Sequence, residues 1–277
     1  MQYRSFAQLL RNLDRPARRG PLAMVLVQDE FALTETLAHL AKLGFARLVV
    51  LGERPRGKTN LPILTAPYDT HKPGAFALAY SALADRVAGA WLFGCWNGEF
   101  LYFPYCDSRT IGDLTSFAAD ERRRAIGGVV VDVFPQNLAQ LSGGTQNTVW
   151  VDHLGYSFAD PSPATSATPT PLFGGLRERL STGRAAADRI DRSLIIRATS
   201  GAELGPDGIW SDPDLNSRHC RWHHSPTAVL ASYRMALWHA ARSDRAFQDL
   251  VWPGATQLTW SAKQFSELGM MEPGQWV

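Results

Sequence analysis

Three clusters of polar residues follow directly on apolar runs, the places where a sheet hands side chains to solvent or ligand. Gln28-Asp29-Glu30 follows Met24-Val-Leu-Val, Gly52-Glu53 follows Arg47-Leu-Val-Val-Leu, and Asn97-Gly98-Glu99 breaks the stretch WLFGCWNGEFLYFP that begins at Trp91. Asp29 and Glu30 can position a ligand or serve as the acidic pair that a helix N-terminus favours. Asp132 sits within the run Gly128-Val-Val-Val-Asp-Val-Phe, where an ionised side chain has to be paired or used. Asp152-His153 sets a carboxylate beside an imidazole, the two group types that most readily accept a proton near neutral pH; the pair also suits a polar turn before Gly155-Tyr156. His219, Cys220, His223 and His224 are close in sequence but lack a carboxylate or any supporting shell, which argues against a metal site.

The elements that must carry these residues follow from periodicity. Met24 to Val27 predicts a strand. Leu33, Leu37, Leu40 and Ala41 recur at helical spacing up to a stop at Gly44, and Arg47 to Leu51 predicts a second strand. This β-α-β order implies parallel strands. Ala75 to Ala88 reads as a helix, Ala90 to Gly94 as a third strand, Thr110 to Arg124 as a helix, and Gly128 to Phe134 as a fourth strand. Thr227 to Arg242 is expected to be a helix with Val229, Tyr233, Ala236 and Leu237 on one face. The fold class is therefore α/β, and in open parallel sheets ligands gather at the carboxyl ends of the strands.

Composition narrows the function. The 277 residues suit one large domain. A net charge of +2 is too small for a phosphate-tracking surface, so nucleic acid is not an expected partner; the runs Arg15 to Arg19 and Arg122 to Arg124 read as solvated faces. Three cysteines without C-x-x-C spacing give neither a disulfide framework nor a zinc site. With no signal peptide and no transmembrane run, a cytoplasmic protein is expected. The Pro/Ser/Thr-rich tract 160–171 is expected to be an exposed loop.

The order of motifs resembles the family 2-like glycosyltransferases. Gln28-Asp29-Glu30 with Leu43-Gly44-Phe45 is similar to the family's first strand and helix. Trp91-Leu92-Phe93 followed by Trp96-Asn97-Gly98-Glu99-Phe100 resembles Trp-hydrophobic-hydrophobic and Asp-x-Asp-Glu-Phe. Arg109-Thr110-Ile111-Gly112-Asp113-Leu114, Val131-Asp132-Val133-Phe134-Pro135, Gly174-Gly175-Leu176-Arg177-Glu178-Arg179 and Arg192-Ser193-Leu194-Ile195-Ile196 follow in the family's order. So do Trp222-His223-His224 and Phe265-Ser266-Glu267-Leu268-Gly269-Met270. The resemblance implies a single GT-A-like domain over 1–277, with a mixed, mainly parallel sheet flanked by helices. It also implies a nucleotide-sugar donor, a carbohydrate or other hydroxyl acceptor, and a manganese or magnesium ion.

Two departures stand out. Trp96 and Gly98 occupy the positions of the metal-binding aspartates, and neither can ligate an ion, so only Glu99 and the Asn97 amide remain there. The family's nucleoside-gripping loop is replaced by Gly52-Glu53-Arg54-Pro55-Arg56-Gly57, whose arginines, with Lys58, can meet a diphosphate directly and make the protein metal-independent. By the resemblance, Asp29, Glu30, Glu53, Arg54, Arg56, Asn97, Asp132, Arg177 and Arg179 belong to substrate binding, Glu99 to metal or acceptor binding, and Asp152 and His153 to acceptor deprotonation. Arg177 and Arg179 equally suit surface ion pairs, and Glu99 equally suits a strand-end cap. Two functions stay open: a sugar-transferring enzyme, and a glycosyltransferase-like binding or regulatory module that has lost catalysis.

Overall fold

The computed structural model describes residues 1–13, 20–53, 59–153, 156–158, 171–180, 188–216, 225–242 and 253–276. Arg15 to Arg19, Arg54, Arg56, Lys58, all of the 160–171 tract except Pro171, and His219, Cys220, His223 and His224 lie outside the described residues. The described elements run in chain order as α1 (Phe6–Asn12), β1 (Leu22–Val27), α2 (Leu33–Lys42), β2 (Arg47–Gly52), β3 (Ile63–Pro67), α3 (Ala75–Arg86), β4 (Trp91–Trp96), β5 (Glu99–Tyr102), α4 (Ile111–Asp120) and β6 (Ala125–Phe134). They continue as β7 (Val149–Asp152), β8 (Ser157–Phe158), β9 (Leu172–Phe173), α5 (Gly175–Leu180), β10 (Asp191–Arg197), β11 (Ala228–Ser232), α6 (Arg234–Ala240), β12 (Ala255–Leu258) and α7 (Ala262–Glu267). Two compact units share the chain. One comprises Met1–Asn97, Cys106–Ile126 and Ser193–Ser217, the other Gly98–Tyr105, Gly127–Arg192 and Arg218–Val277.

In the first unit β1 pairs in parallel with β2 on one side and β4 on the other, and β3 adds in parallel to β2. Ile195 to Arg197 of β10 pair antiparallel with β4. The strands β1 and β2 are apolar along almost their whole length because both faces are covered. The helix α2 buries one stripe, Thr36, Leu37 and Leu40, as its periodicity predicts. Thr110 caps α4 through a reciprocal bond with Asp113. On β4, a Cβ at Gly94 would stand 3.0 Å from the rings of both Phe76 and Tyr80, so any side chain there would push these rings of α3 away from the strand.

The second unit is also α/β, with a mixed sheet. The strand β11 runs parallel to β6 and antiparallel to β5, while β7 is antiparallel to both β6 and β12. Its core is aromatic: Tyr102 meets Phe265 at 5.0 Å between centroids, and Trp260 packs on Phe100 at 5.4 Å and Tyr233 at 5.7 Å.

The helix expected over Thr227 to Arg242 is instead two elements, β11 and the shorter α6. The strand Ala228–Ser232 is buried at every position between β5 and β6, so it needs apolar or small residues on both faces and shows no alternation. The spacing of Val229, Tyr233, Ala236 and Leu237 therefore imitates a helical stripe across a strand-to-helix junction.

Candidate functional site

The first unit contains a topological switch point. The chain steps from β1 to β2 to β3 in one direction and then returns to place β4 on the other side of β1. The carboxyl ends of β1 and β4 therefore lie side by side, the place at which open α/β sheets bind ligands. Gln28, Asp29 and Glu30 stand exposed at the end of β1, and Glu53 is exposed just beyond β2. Trp96 ends β4, half-buried, with its ring 5.8 Å from that of Phe76.

Asn97 explains the polar break. Its side chain is completely buried. Its Oδ1 accepts from the Gln28 N–H at 3.0 Å, and its Nδ2 lies 2.7 Å from Asp29 Oδ1, 3.0 Å from the Asp29 carbonyl and 2.8 Å from the Phe31 carbonyl. Asp29 Oδ1 also accepts from the Phe31 N–H at 3.0 Å. One neutral amide thus fastens the whole Gln28–Phe31 turn to the end of β4. Ala32, which follows, holds a left-handed backbone at φ 52° without a side-chain cap on α2. For a non-glycine residue this is a strained conformation. Thr70 Oγ1 donates to the Val27 carbonyl at 3.1 Å, and a Cβ at Gly52 would approach the same carbonyl to 2.9 Å, so β1 and the loops beside it are closely packed at this end.

In the second unit the polar groups are charged and buried. Asp132 on β6 is 2% exposed and takes a forked bond from Arg177 of α5, with Nη2 to Oδ1 at 2.7 Å and Nε to Oδ2 at 2.8 Å. The Arg177 backbone N–H donates to the same carboxylate at 3.2 Å, and Nη1 reaches the Arg189 carbonyl at 3.3 Å. Burial alone would lower the Arg177 pKa, but the Asp132 charge and hydrogen bonds, with Glu99 and Asp188, hold it above its ordinary value. Asp152, at the end of β7, accepts from Arg179 Nε at 2.6 Å. The Tyr156 hydroxyl donates to the Asp152 carbonyl at 2.7 Å; burial, then the Asp132 and Asp152 charges, push its pKa up. A Cβ at Gly174 would fall 2.4 Å from the Tyr156 ring, which is why the strand-to-helix turn before α5 is glycine. Arg189 pairs with Asp191, whose Oδ1 also accepts from the Leu172 N–H at 2.8 Å. Glu99, 4% exposed at the start of β5, accepts from Ser232 Oγ at 2.9 Å. His153 Nδ1 lies 2.7 Å from Thr256 Oγ1.

The structure therefore brings Asp29 and Asn97 together, with Glu30 beside them, in the first unit, and Asp132 with Arg177 and Asp152 with Arg179 in the second. Arg177 is a buried partner of Asp132, whereas Arg179 keeps 45% of its side chain exposed. Sequence reading passed over Tyr156, Arg189, Asp191, Arg192 and Ser232 as members of this charged centre. Ser232 meets Glu99 from 133 residues away, whereas Arg189 and Tyr156 bond Asp191 and Asp152 close by in sequence but from positions outside the regular helices and strands, where periodicity gives no signal.

The residues that a divalent cation would need do not fit one. The Asn97 amide is engaged with the Gln28–Phe31 turn, Trp96 and Gly98 offer no oxygen side chain, and Glu99 lies in the field of the Arg177 and Arg192 guanidinium groups. Among the described residues no group of three or more His, Cys, Asp or Glu side chains is placed to hold a metal ion.

The units define an α/β protein with mixed sheets flanked by helices. No protein-family model and no curated protein matches the chain. Among the described residues no helix is long and apolar enough to cross a membrane.

Proposed function

We propose that the chain is a glycosyltransferase-like protein of GT-A architecture that takes a sugar from a nucleotide-sugar donor to a glycan or other hydroxyl acceptor. The observation that carries this reading is the switch point between β1 and β4, with Asp29, Glu30 and Trp96 at the carboxyl ends of the two strands. Exposed carboxylates accept hydrogen bonds from the hydroxyl and N–H groups of a nucleoside, and an indole face stacks on a base or sugar ring. In the tautomer whose Nδ1–H donates to Thr256 Oγ1, His153 has the chemistry to take the acceptor proton at Nε2, with Asp152 as the alternative base. Because the Asn97–Glu99 segment does not suit a divalent cation, the diphosphate charge falls to cationic side chains, for which Arg54 and Arg56 are the candidates.

A second reading, a binding or regulatory module without transfer activity, is favoured by one specific observation. Asn97, Asp132 and Asp152, all candidate site residues, are engaged in internal hydrogen bonds. Calorimetry with a panel of nucleotide diphosphates and nucleotide sugars, with and without manganese, tests both readings. Metal-independent donor binding accompanied by release of nucleotide diphosphate supports the enzyme. Binding without release, with or without added acceptor glycans, supports the module. A chain that binds none of the panel sinks both.

A further inference from the structure

The helix α6 and the turn that continues it read Arg-Met-Ala-Leu-Trp-His-Ala-Ala-Arg from Arg234 to Arg242, with no acidic residue. The Ala241 and Arg242 N–H groups donate to the Leu237 and His239 carbonyls at 3.0 and 3.1 Å, so the helical path holds as far as Arg242. Arg234, Trp238 and Arg242 therefore stand in one row on the helix surface, with Met235 and Ala241 along its two sides. Ala236, the one buried residue of α6, lies on the opposite side. Trp238 is 45% exposed, and the guanidinium carbon of Arg242 sits over its ring, 4.6 Å from the centre. We infer that this row is a docking surface for the headgroup layer of an anionic phospholipid membrane.

Burial and charge together select that partner. A helix packed into a protein body hides an apolar stripe. The helix α6 hides only an alanine, turns Trp238 outward and leaves Met235 half-buried beside it. An indole has an apolar body and a single N–H donor, and such rings settle where acyl chains give way to headgroups. The arginines on either side bring charge that an anionic leaflet attracts, and their apolar stems can lie along the indole while the guanidinium groups reach the phosphates. No acidic side chain on the helix opposes that attraction. A polynucleotide would also meet arginine and an indole, but tracking its phosphates takes cationic charge extended along a groove, whereas Met235 adds apolar area that suits lipid. The row is also held ready: Tyr233, completely buried, anchors the start of α6, and Ser232 Oγ accepts from the Arg234 N–H at 3.2 Å. Docking therefore requires no folding of a disordered segment, and two arginines with one indole give a reversible, salt-sensitive attachment.

This inference stands whether or not the chain transfers sugar, and its test uses no nucleotide sugar. The full-length protein is mixed at low ionic strength with vesicles of phosphatidylcholine alone, or of phosphatidylcholine and phosphatidylglycerol in equal parts, and the bound fraction is read by flotation. Anionic vesicles should carry the protein, neutral vesicles should carry far less, and added salt should release it. Bromine atoms on the acyl chains should quench more fluorescence in the wild type than in Trp238→Phe. Trp238→Ala and Arg242→Gln should each weaken binding about fivefold or more. Ala241→Glu, which sets an acid beside the row and leaves both arginines and the indole in place, should do the same. Leu78→Ala removes a side chain of α3 that is 57% exposed and should leave binding unchanged. A wild type that ignores anionic vesicles would overturn the inference. So would Trp238→Ala and Ala241→Glu proteins that bind as tightly as the wild type, or a Leu78→Ala protein that loses as much as they do. Trp238-dependent binding of polyuridylate, tighter than that of the vesicles, would overturn the choice of a membrane.

Discussion

The two units treat polarity in opposite ways. At the switch point of the first unit the fully buried Asn97 is neutral, and the carboxylates around it stay exposed. In the second unit Glu99, Asp132, Asp152 and Asp191 are all buried, and arginines contact three of them. A neutral amide costs only its hydrogen bonds when dehydrated, while each buried ion costs several kcal/mol that its partner repays only with good geometry. Fastening a loop therefore needs nothing more than Asn97. The buried carboxylates of the second unit need more, and arginines contact three of the four.

The sharpest way to break the comparison is to remove one charge. Asp132→Ala strands the Arg177 guanidinium and should lower stability by about 3–5 kcal/mol, read from urea unfolding at neutral pH. Replacing both residues, as Asp132→Leu with Arg177→Met, should recover most of that loss; a double variant no more stable than Asp132→Ala would show that the pair also supports the backbone around it. In the first unit Asn97→Ala should cost about 1–3 kcal/mol, because the Gln28 N–H and two carbonyls lose a buried partner. Added salt should leave that penalty unchanged, and a strong salt dependence would contradict the neutral-fastener description.

Acid should touch the exposed carboxylates of the first unit more gently. The Thr110 N–H, then its hydroxyl, hold the Asp113 pKa down, and Ser200 with the Gly201 N–H do the same for Asp85. A depressed folded-state pKa contributes stability that is complete above the unfolded carboxylate value of about 3.9 and disappears as the pH falls through the lower folded value. The urea midpoints of wild type and Asp113→Asn should thus differ at pH 7 and converge near pH 2. The smallest effect is expected at Lys263 and Glu267, an exposed pair 3.5 Å apart on α7: Lys263→Ala should change stability by less than about 0.5 kcal/mol.

The legible parts of the sequence were those whose environment is uniform along the chain. The strands β1, β2 and β4 and the helices α2 and α3 read correctly because each meets one kind of surroundings over its whole length. The apolar stretch from Trp91 resumes after its polar break as β5, as its composition suggests. Asp132 could be recognised as needing a partner, but Arg177 lies 45 residues away, and no local pattern links them. Arg192 entered only as the first residue of a motif given by the resemblance, beside Leu194, Ile195 and Ile196, which are core residues. The mistaken helix over Thr227 to Arg242 has the complementary cause, a fully enclosed strand that gives no alternating signal.

The interleaving of the units has a consequence for how the protein can be made and altered. Six chain segments alternate between them, so the polypeptide passes from one to the other five times. The antiparallel partner of β4, residues Ile195 to Arg197, leaves the ribosome about a hundred residues after β4 itself. Native pairing of that edge must wait for most of the chain, and contacts so distant in sequence slow folding. A single cut cannot liberate either unit as a continuous piece. Split-protein fragments divided at any one position should therefore regain structure only when both halves are supplied together.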